Sequence, residues 1–280
     1  MYKNLLFLLT LLIYSFSINS QVIDTDIKKY KNIDEATIYF IQSNNEELDN
    51  YIESILKGIW TINKYEMISE SEVKTKPSDD SFYINFFTSS FSRESSGSGG
   101  LDMEYSVTNL FLFKALSEEG KEGRKPIERL ATIELSEFSA SEIFYSIQML
   151  QSQIKLVKEL NLESDLSFKK LLEKVKEQKQ DVIKAKTLYV TESQMDRGLK
   201  NIEKIKKQYN YSVKIKSKEE IEEAILNRDP DIVYGKFMRL RTLHFLIIIN
   251  ADNSELLYGL VSTGFTQNKI NRRFLKDLNK

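Results

Sequence analysis

The feature that most limits what this chain can fold into is a faint internal duplication, in which the same order of strand and helix signals returns after about 150 residues. Thr37-Ile38-Tyr39-Phe40 matches Thr187-Leu188-Tyr189-Val190, each a β-rich run of strand length. A polar break follows in both copies, then an apolar line at helical spacing: Leu48, Ile52, Ile55 and Leu56 in the first, Leu199, Ile202 and Ile205 in the second. Asn44 and Ser193 stand where helix N-caps belong. Residues 61–68 and 211–215 read as second strands. Ser69-Glu70-Ser71-Glu72-Val73 and Ser217-Lys218-Glu219-Glu220-Ile221 then open like capping boxes, with a serine three residues ahead of a glutamate. The second of these predicts a helix through Leu226, whereas Pro77 limits the first to a turn or two.

Asp80-Ser81-Phe82-Tyr83-Ile84 and Asp231-Ile232-Val233-Tyr234-Gly235 share an Asp-x-x-Tyr lead into a third strand. Strands joined by hairpin-like connections follow, at 105–116 and 130–135 in the first copy and at 243–250 and 255–261 in the second. Two helical stretches lie between the copies. Residues 141–160 carry Ile143, Ile147, Leu150, Ile154 and Val157 as a buried stripe. Residues 166–184 are rich in Lys and Glu around Leu171, Leu172 and Val175, which predicts a solvated helix linking two domains. The tail at 268–278 is the second copy's short counterpart. The expected fold is therefore α/β (α+β): two tandem β-α-β-α-β-β-β modules, at 21–138 and 185–280, joined by a helical connector at 139–184.

Residues 1–20 have one cation, Lys3, then an apolar run from Leu5 to about Phe16, then a short polar stretch ending at Ser20. That order is the pattern of a cleavable secretory signal. A membrane anchor is the alternative, but the run gives about 12 to 14 apolar residues where a span needs about 20. The expectation is export, to the periplasm, the outer membrane or the medium, with no span after cleavage. The chain has no cysteine, which excludes thiolate sites and lipid attachment at a mature amino-terminal Cys, and leaves core burial to stabilise an exported fold.

Little in the sequence points to catalysis, and no cofactor is expected. His244, the one histidine, sits in an apolar strand and cannot alone make a His-based metal cluster. Ser95-Ser96-Gly97-Ser98-Gly99-Gly100 is the one glycine cluster, but a strand start follows it where a phosphate-binding loop needs a helix, so it reads as a hairpin loop. Trp60 reads as core at a helix-to-strand junction. Carboxylate pairs and a Ser-Lys pair stay open, because their geometry depends on the fold.

Net charge is −1, which does not suggest nucleic acid, yet charge is unevenly spread. In residues 22–80 acids exceed bases by about six, and in residues 185–220 bases exceed acids by about four. Lys200, Lys204, Lys206 and Lys207 head the basic group as an interaction surface, joined by Lys214 and Lys216. These are either two solvated faces or complementary surfaces, in which the acidic first copy of the same or another molecule meets the basic second copy.

Ser217-Lys218-Glu219-Glu220-Ile221, Asp231-Ile232-Val233-Tyr234-Gly235 and the strands through Ile247-Ile248-Ile249 and Leu256-Leu257-Tyr258-Gly259 resemble the amino-terminal domain of TolB and the related α/β core of CsgG-like envelope proteins. The likeness covers about 75 residues of the second copy well and the first copy poorly. It implies a cell-envelope binding or assembly module with a protein partner. The TolB propeller and the CsgG pore hairpins and lipidated cysteine have no counterpart in this sequence. The Lys-, Asn- and Ile-rich composition and the Asn-Ser-Gln cleavage region also look like exported proteins of Bacteroidota. The alternative is an exported hydrolase, using carboxylates or a Ser-Lys pair in a cleft between the modules.

Overall fold

A computed structural model of the chain describes residues 22–23, 27–30, 32–76, 81–93, 103–115, 127–160, 168–199, 201–240, 243–262 and 269–280. The signal-like segment, Pro77, the Ser95 to Gly100 loop and Lys200 lie outside the described residues. The first copy runs β1 (Val22–Ile23), β2 (Ile38–Ile41), α1 (Glu46–Ile59), β3 (Tyr65–Ile68), β4 (Phe82–Arg93), β5 (Met103–Ala115) and β6 (Ile127–Leu135). Two helices follow, α2 (Ala140–Glu159) and α3 (Phe168–Lys184). The second copy runs β7 (Thr187–Val190), α4 (Ile202–Lys206), β8 (Val213–Ile215), α5 (Lys218–Leu226), β9 (Ile232–Leu240), β10 (Leu243–Asn250), β11 (Leu256–Ser262) and α6 (Arg272–Leu278).

Among the described residues the strands form two sheets, ordered β1-β6-β5-β4-β2-β3 and β11-β10-β9-β7-β8. Apart from β1, which caps β6, the two orders are the same. Their directions also agree: β2 and β7 are parallel to both neighbours, and the following strands are antiparallel. Even the register repeats. Ile38 lies opposite Tyr65 and Phe82, as Leu188 lies opposite Val213 and Val233. The Asp-x-x-Tyr tyrosines are thus equivalents, Tyr83 beside Tyr39 and Tyr234 beside Tyr189.

The copies differ in the helix after their first strand. In the first, Asn45 caps α1 by accepting from the Leu48 N–H, and Glu46, Glu47 and Asp49 complement the positive end of the helix dipole. Asn45 takes the role expected of Asn44, which precedes it with a left-handed φ of 65°. Ile52, Ile55, Leu56 and Ile59 fill the core, and Trp60 ends the helix with its ring edge-on to Phe40. In the second copy the expected helix capped by Ser193 is broken into two 3₁₀ turns, Glu192–Gln194 and Arg197–Leu199, and the five-residue α4. Local bonding explains the break. Thr191 caps the first turn and Asn201 caps α4, while the Asp196 N–H donates to the Ile270 carbonyl and the Ile270 N–H to the Gln194 carbonyl. Leu199 and Ile205 are still buried, so the apolar spacing marked core positions without marking one continuous helix.

The layers stack as sheet, helices, sheet, helices. The helices α1, α2 and α5 share one core with a face of each sheet, and the far face of the second sheet packs on α4 and α6. α2 is buried far beyond its expected stripe, since Tyr145, Gln148, Met149, Gln151, Gln153 and Leu156 are inside as well. The Lys-rich α3 is not a solvated link: Leu171, Leu172, Val175 and Ile183 are buried, and it lies against β11. The approach is close enough that a Cβ on Gly259 would sit 2.5 Å from Leu172 Cδ2. Among the described residues no helix is long and apolar enough to cross a membrane.

Candidate functional site

Both sheets end on a short strand after a parallel crossover, β3 in the first and β8 in the second. Their backbones face the same way. The Ile38 N–H donates to the Lys64 carbonyl, and the Leu188 N–H to the Ser212 carbonyl. With the two-residue period of a strand, Lys214 also turns its peptide groups inward, and Val213 and Ile215 turn theirs outward, where Val213 is buried and Ile215 half-buried. Such an edge is a template for another strand.

A groove of about 1130 Å³ runs along β8, walled by Ile202, Glu203 and Lys206 of α4 and by Tyr209 and Tyr211. The helix beside it, α4, has five residues where α1 has 14. Tyr209 is fully buried, its ring meets Tyr211 at 5.6 Å, and its hydroxyl has no hydrogen-bond partner among the described residues. Burial pushes its phenol pKa up, so it is a neutral donor. The segment is pinned from behind, where Asn279 accepts from the Asn210 N–H at 3.0 Å and donates to the Gln208 carbonyl at 2.7 Å.

The structure brings Lys206 to this groove and sets Lys204 and Lys207 on the same short helix and its C-cap. These three and Lys214 are exposed, and none is in an ion pair among the described residues. Lys216 is committed, bonded to Glu220 at 2.5 Å and lying over the Tyr189 ring. The Glu220 contact raises the Lys216 pKa. At the position equivalent to Lys214 the first copy has Glu66, held by Lys76 at 2.7 Å. Among the described residues no salt bridge joins residues 22–80 to residues 185–220.

A second concavity, of about 390 Å³, lies at the seam between the copies and includes Thr61, Gln151, Lys155, Glu159, Arg228 and Glu255. Its acids do not stand as a bare pair, because Lys179 bridges Glu159 at 3.7 Å and Glu255 at 2.8 Å. The hydrogen bond from Lys179 to Glu255 raises the lysine pKa. The amides are committed too: Gln151 joins α2 to the Ile59 carbonyl and the Thr61 N–H, and Gln148 bonds the Asp252 carbonyl and the Ser254 hydroxyl. Deeper in the seam, the Lys236 ammonium donates to both Glu142 oxygens, at 2.6 and 2.8 Å, and lies 3.9 Å from the Tyr145 ring centre. Burial lowers the Lys236 pKa and the Glu142 charge opposes the shift. These groups clamp α2 to β9.

His244 lies on β10 opposite Arg239, and its side chain is outside the described residues. Trp60 is core, as expected, and its indole N–H donates to Asn63 at 3.0 Å. Among the described residues no group of three or more His, Cys, Asp or Glu side chains could hold a metal ion. Counting charge found the lysines but not the groove beside them. Its signal was the lost helical run between Thr191 and Gln208, where Gly198 and the caps Thr191 and Asn201 interrupt the pattern. No protein-family model matches the chain, and a search of curated proteins finds no match.

Proposed function

We propose that this is an exported cell-envelope protein acting as a non-catalytic binding or assembly module, with a protein partner engaged at the basic open edge of its second sheet. The observation that carries this function is the coincidence, among the described residues, of an unpaired strand edge, a groove beside it and exposed lysines without ion pairs. The signal-like first 20 residues support export, and the likeness of residues 217–259 to TolB and CsgG-like modules supports an envelope role. The test is affinity capture from a native envelope fraction at low and high salt, using the mature chain and a Lys206→Glu, Lys214→Glu variant. A defined chain bound by the first, released by salt and absent from the second, is the expected result. Equal recovery on both proteins counts against the site.

A hydrolase centred on the seam is the second reading, favoured by one contact: Lys155 Nζ donates to Thr61 Oγ1 at 3.0 Å within the cleft. Turnover of a chromogenic ester that disappears in Thr61→Val would establish it.

A further inference from the structure

We infer that β8 takes up an extended acidic segment of a partner polypeptide as a further strand of the second sheet. This partner chemistry rests on the binding function proposed above. The backbone sets the mode of binding. Val213 and Ile215 face outward with peptide groups that no strand among the described residues pairs; Val213 is buried beside the groove and Ile215 is half-buried, so an incoming strand continues the ladder from Ile215. The groove sets the pattern. Side chains on one face of the added strand meet Ile202, Tyr211 and Ile215. Side chains on the other face meet Lys214. A segment that alternates apolar and acidic residues fits both faces.

Charge sets the sign. Lys206 and Lys214 flank the groove without ion pairs among the described residues, Lys204 and Lys207 extend the positive surface, and Glu203 is the one acid among the lining residues. Two β8 edges brought together would juxtapose like charges at Lys214, so the edge is protected against its own copy and open to an acidic strand. In the first copy the helix after the first strand is the 14-residue α1, and Glu66 is already held by Lys76.

The test is fluorescence anisotropy of the full chain with a labelled peptide of about ten residues alternating Glu and Val, long enough to span the edge. Saturable binding is expected, about tenfold weaker as salt rises from about 50 to about 500 mM. Lys206→Glu with Lys214→Glu should weaken it by about tenfold or more, and the same peptide built with Lys in place of Glu should not bind. Ile215→Pro should abolish it with the circular dichroism spectrum unchanged, since proline is tolerated on an edge where the lost N–H faces out. Methylating alternate peptide nitrogens tests the ladder without altering the protein. Undiminished binding of the methylated peptide, or equal binding of the Glu and Lys peptides, overturns the inference. If the peptide does not bind but the chain self-associates in sedimentation, and Lys206→Glu with Lys214→Glu abolishes that association, the occupant is a second copy. The acidic-segment inference then falls while the binding function stands. Absence of both, together with ester turnover at the seam, overturns both.

Discussion

The two copies share one sheet order, one register and equivalent capping serines, yet they differ in the helix after their first strand and in the charge of their edge strand. In the first, a 14-residue helix covers the parallel end of the sheet, and the single carboxylate on its edge strand is neutralised by a lysine. In the second, the same place has a five-residue helix, a groove and lysines without ion pairs among the described residues. The outward-facing residues of β3, Tyr65 and Met67, are half-buried, and those of β8 are buried at Val213 and half-buried at Ile215, so the two edges differ in charge rather than in cover. A repeated backbone leaves the charge of its edge strand free to change while the sheet stays the same.

The largest effect should come from the seam that joins the copies. Lys236→Met leaves Glu142 buried without its cation, and should cost about 3–5 kcal/mol in urea unfolding. Adding Glu142→Leu should recover most of that loss; failure to recover would mean that the pair does more than balance charge. Ile147→Ala, at a fully buried site on α2, should cost about 3 kcal/mol and shift a single transition. Two transitions would show that the copies are independent after all.

The outer helix α6 has a different anchor. Burial would raise the Asp277 carboxyl, but the hydrogen bonds from Lys176 at 2.7 Å, from Tyr258 and from Lys280 outweigh it and hold the pKa at about 2. Because the folded value lies below the unfolded one of about 3.9, this stability is present above pH about 4 and lost as pH falls through about 2. Asp277→Asn should therefore cost about 1–2 kcal/mol at neutral pH, with the difference from the parent closing over that window.

The smallest effect compares the equivalent caps. The Ser217 hydroxyl accepts the Glu220 N–H at 3.2 Å at the start of a nine-residue helix. The Ser69 hydroxyl instead donates to the Glu72 carboxylate, which also accepts the Ser69 N–H at 2.7 Å. Ser217→Ala should cost about 1 kcal/mol by thermal unfolding, and Ser69→Ala a few tenths.

Local signals in the sequence carried the parts of this fold that are locally determined. The Asp-x-x-Tyr tyrosines and the Ser-x-x-Glu caps proved equivalent because strand alternation and capping need only a few neighbouring residues. The stripe from Ile143 to Val157 was legible and is buried, but the burial of α2 beyond it was not, since it depends on a second sheet from much later in the chain closing over Gln148 and Ser152. Its trace was the uncharged run from Ile143 to Ile154, an all-round pattern rather than a stripe. The site was half legible: charge located Lys204, Lys206 and Lys207, but the groove depends on how a helix breaks, which a count of lysines does not register.

The position of α2 also has a consequence for how the molecule comes into being. It follows the first sheet in the chain and buries one face against it, so the amino-terminal half can close around its own helix before the rest has emerged. The second sheet lacks that autonomy, because one of its faces is completed by a helix made earlier. Assembly is then directional, with the older half serving as the template on which the younger one sets.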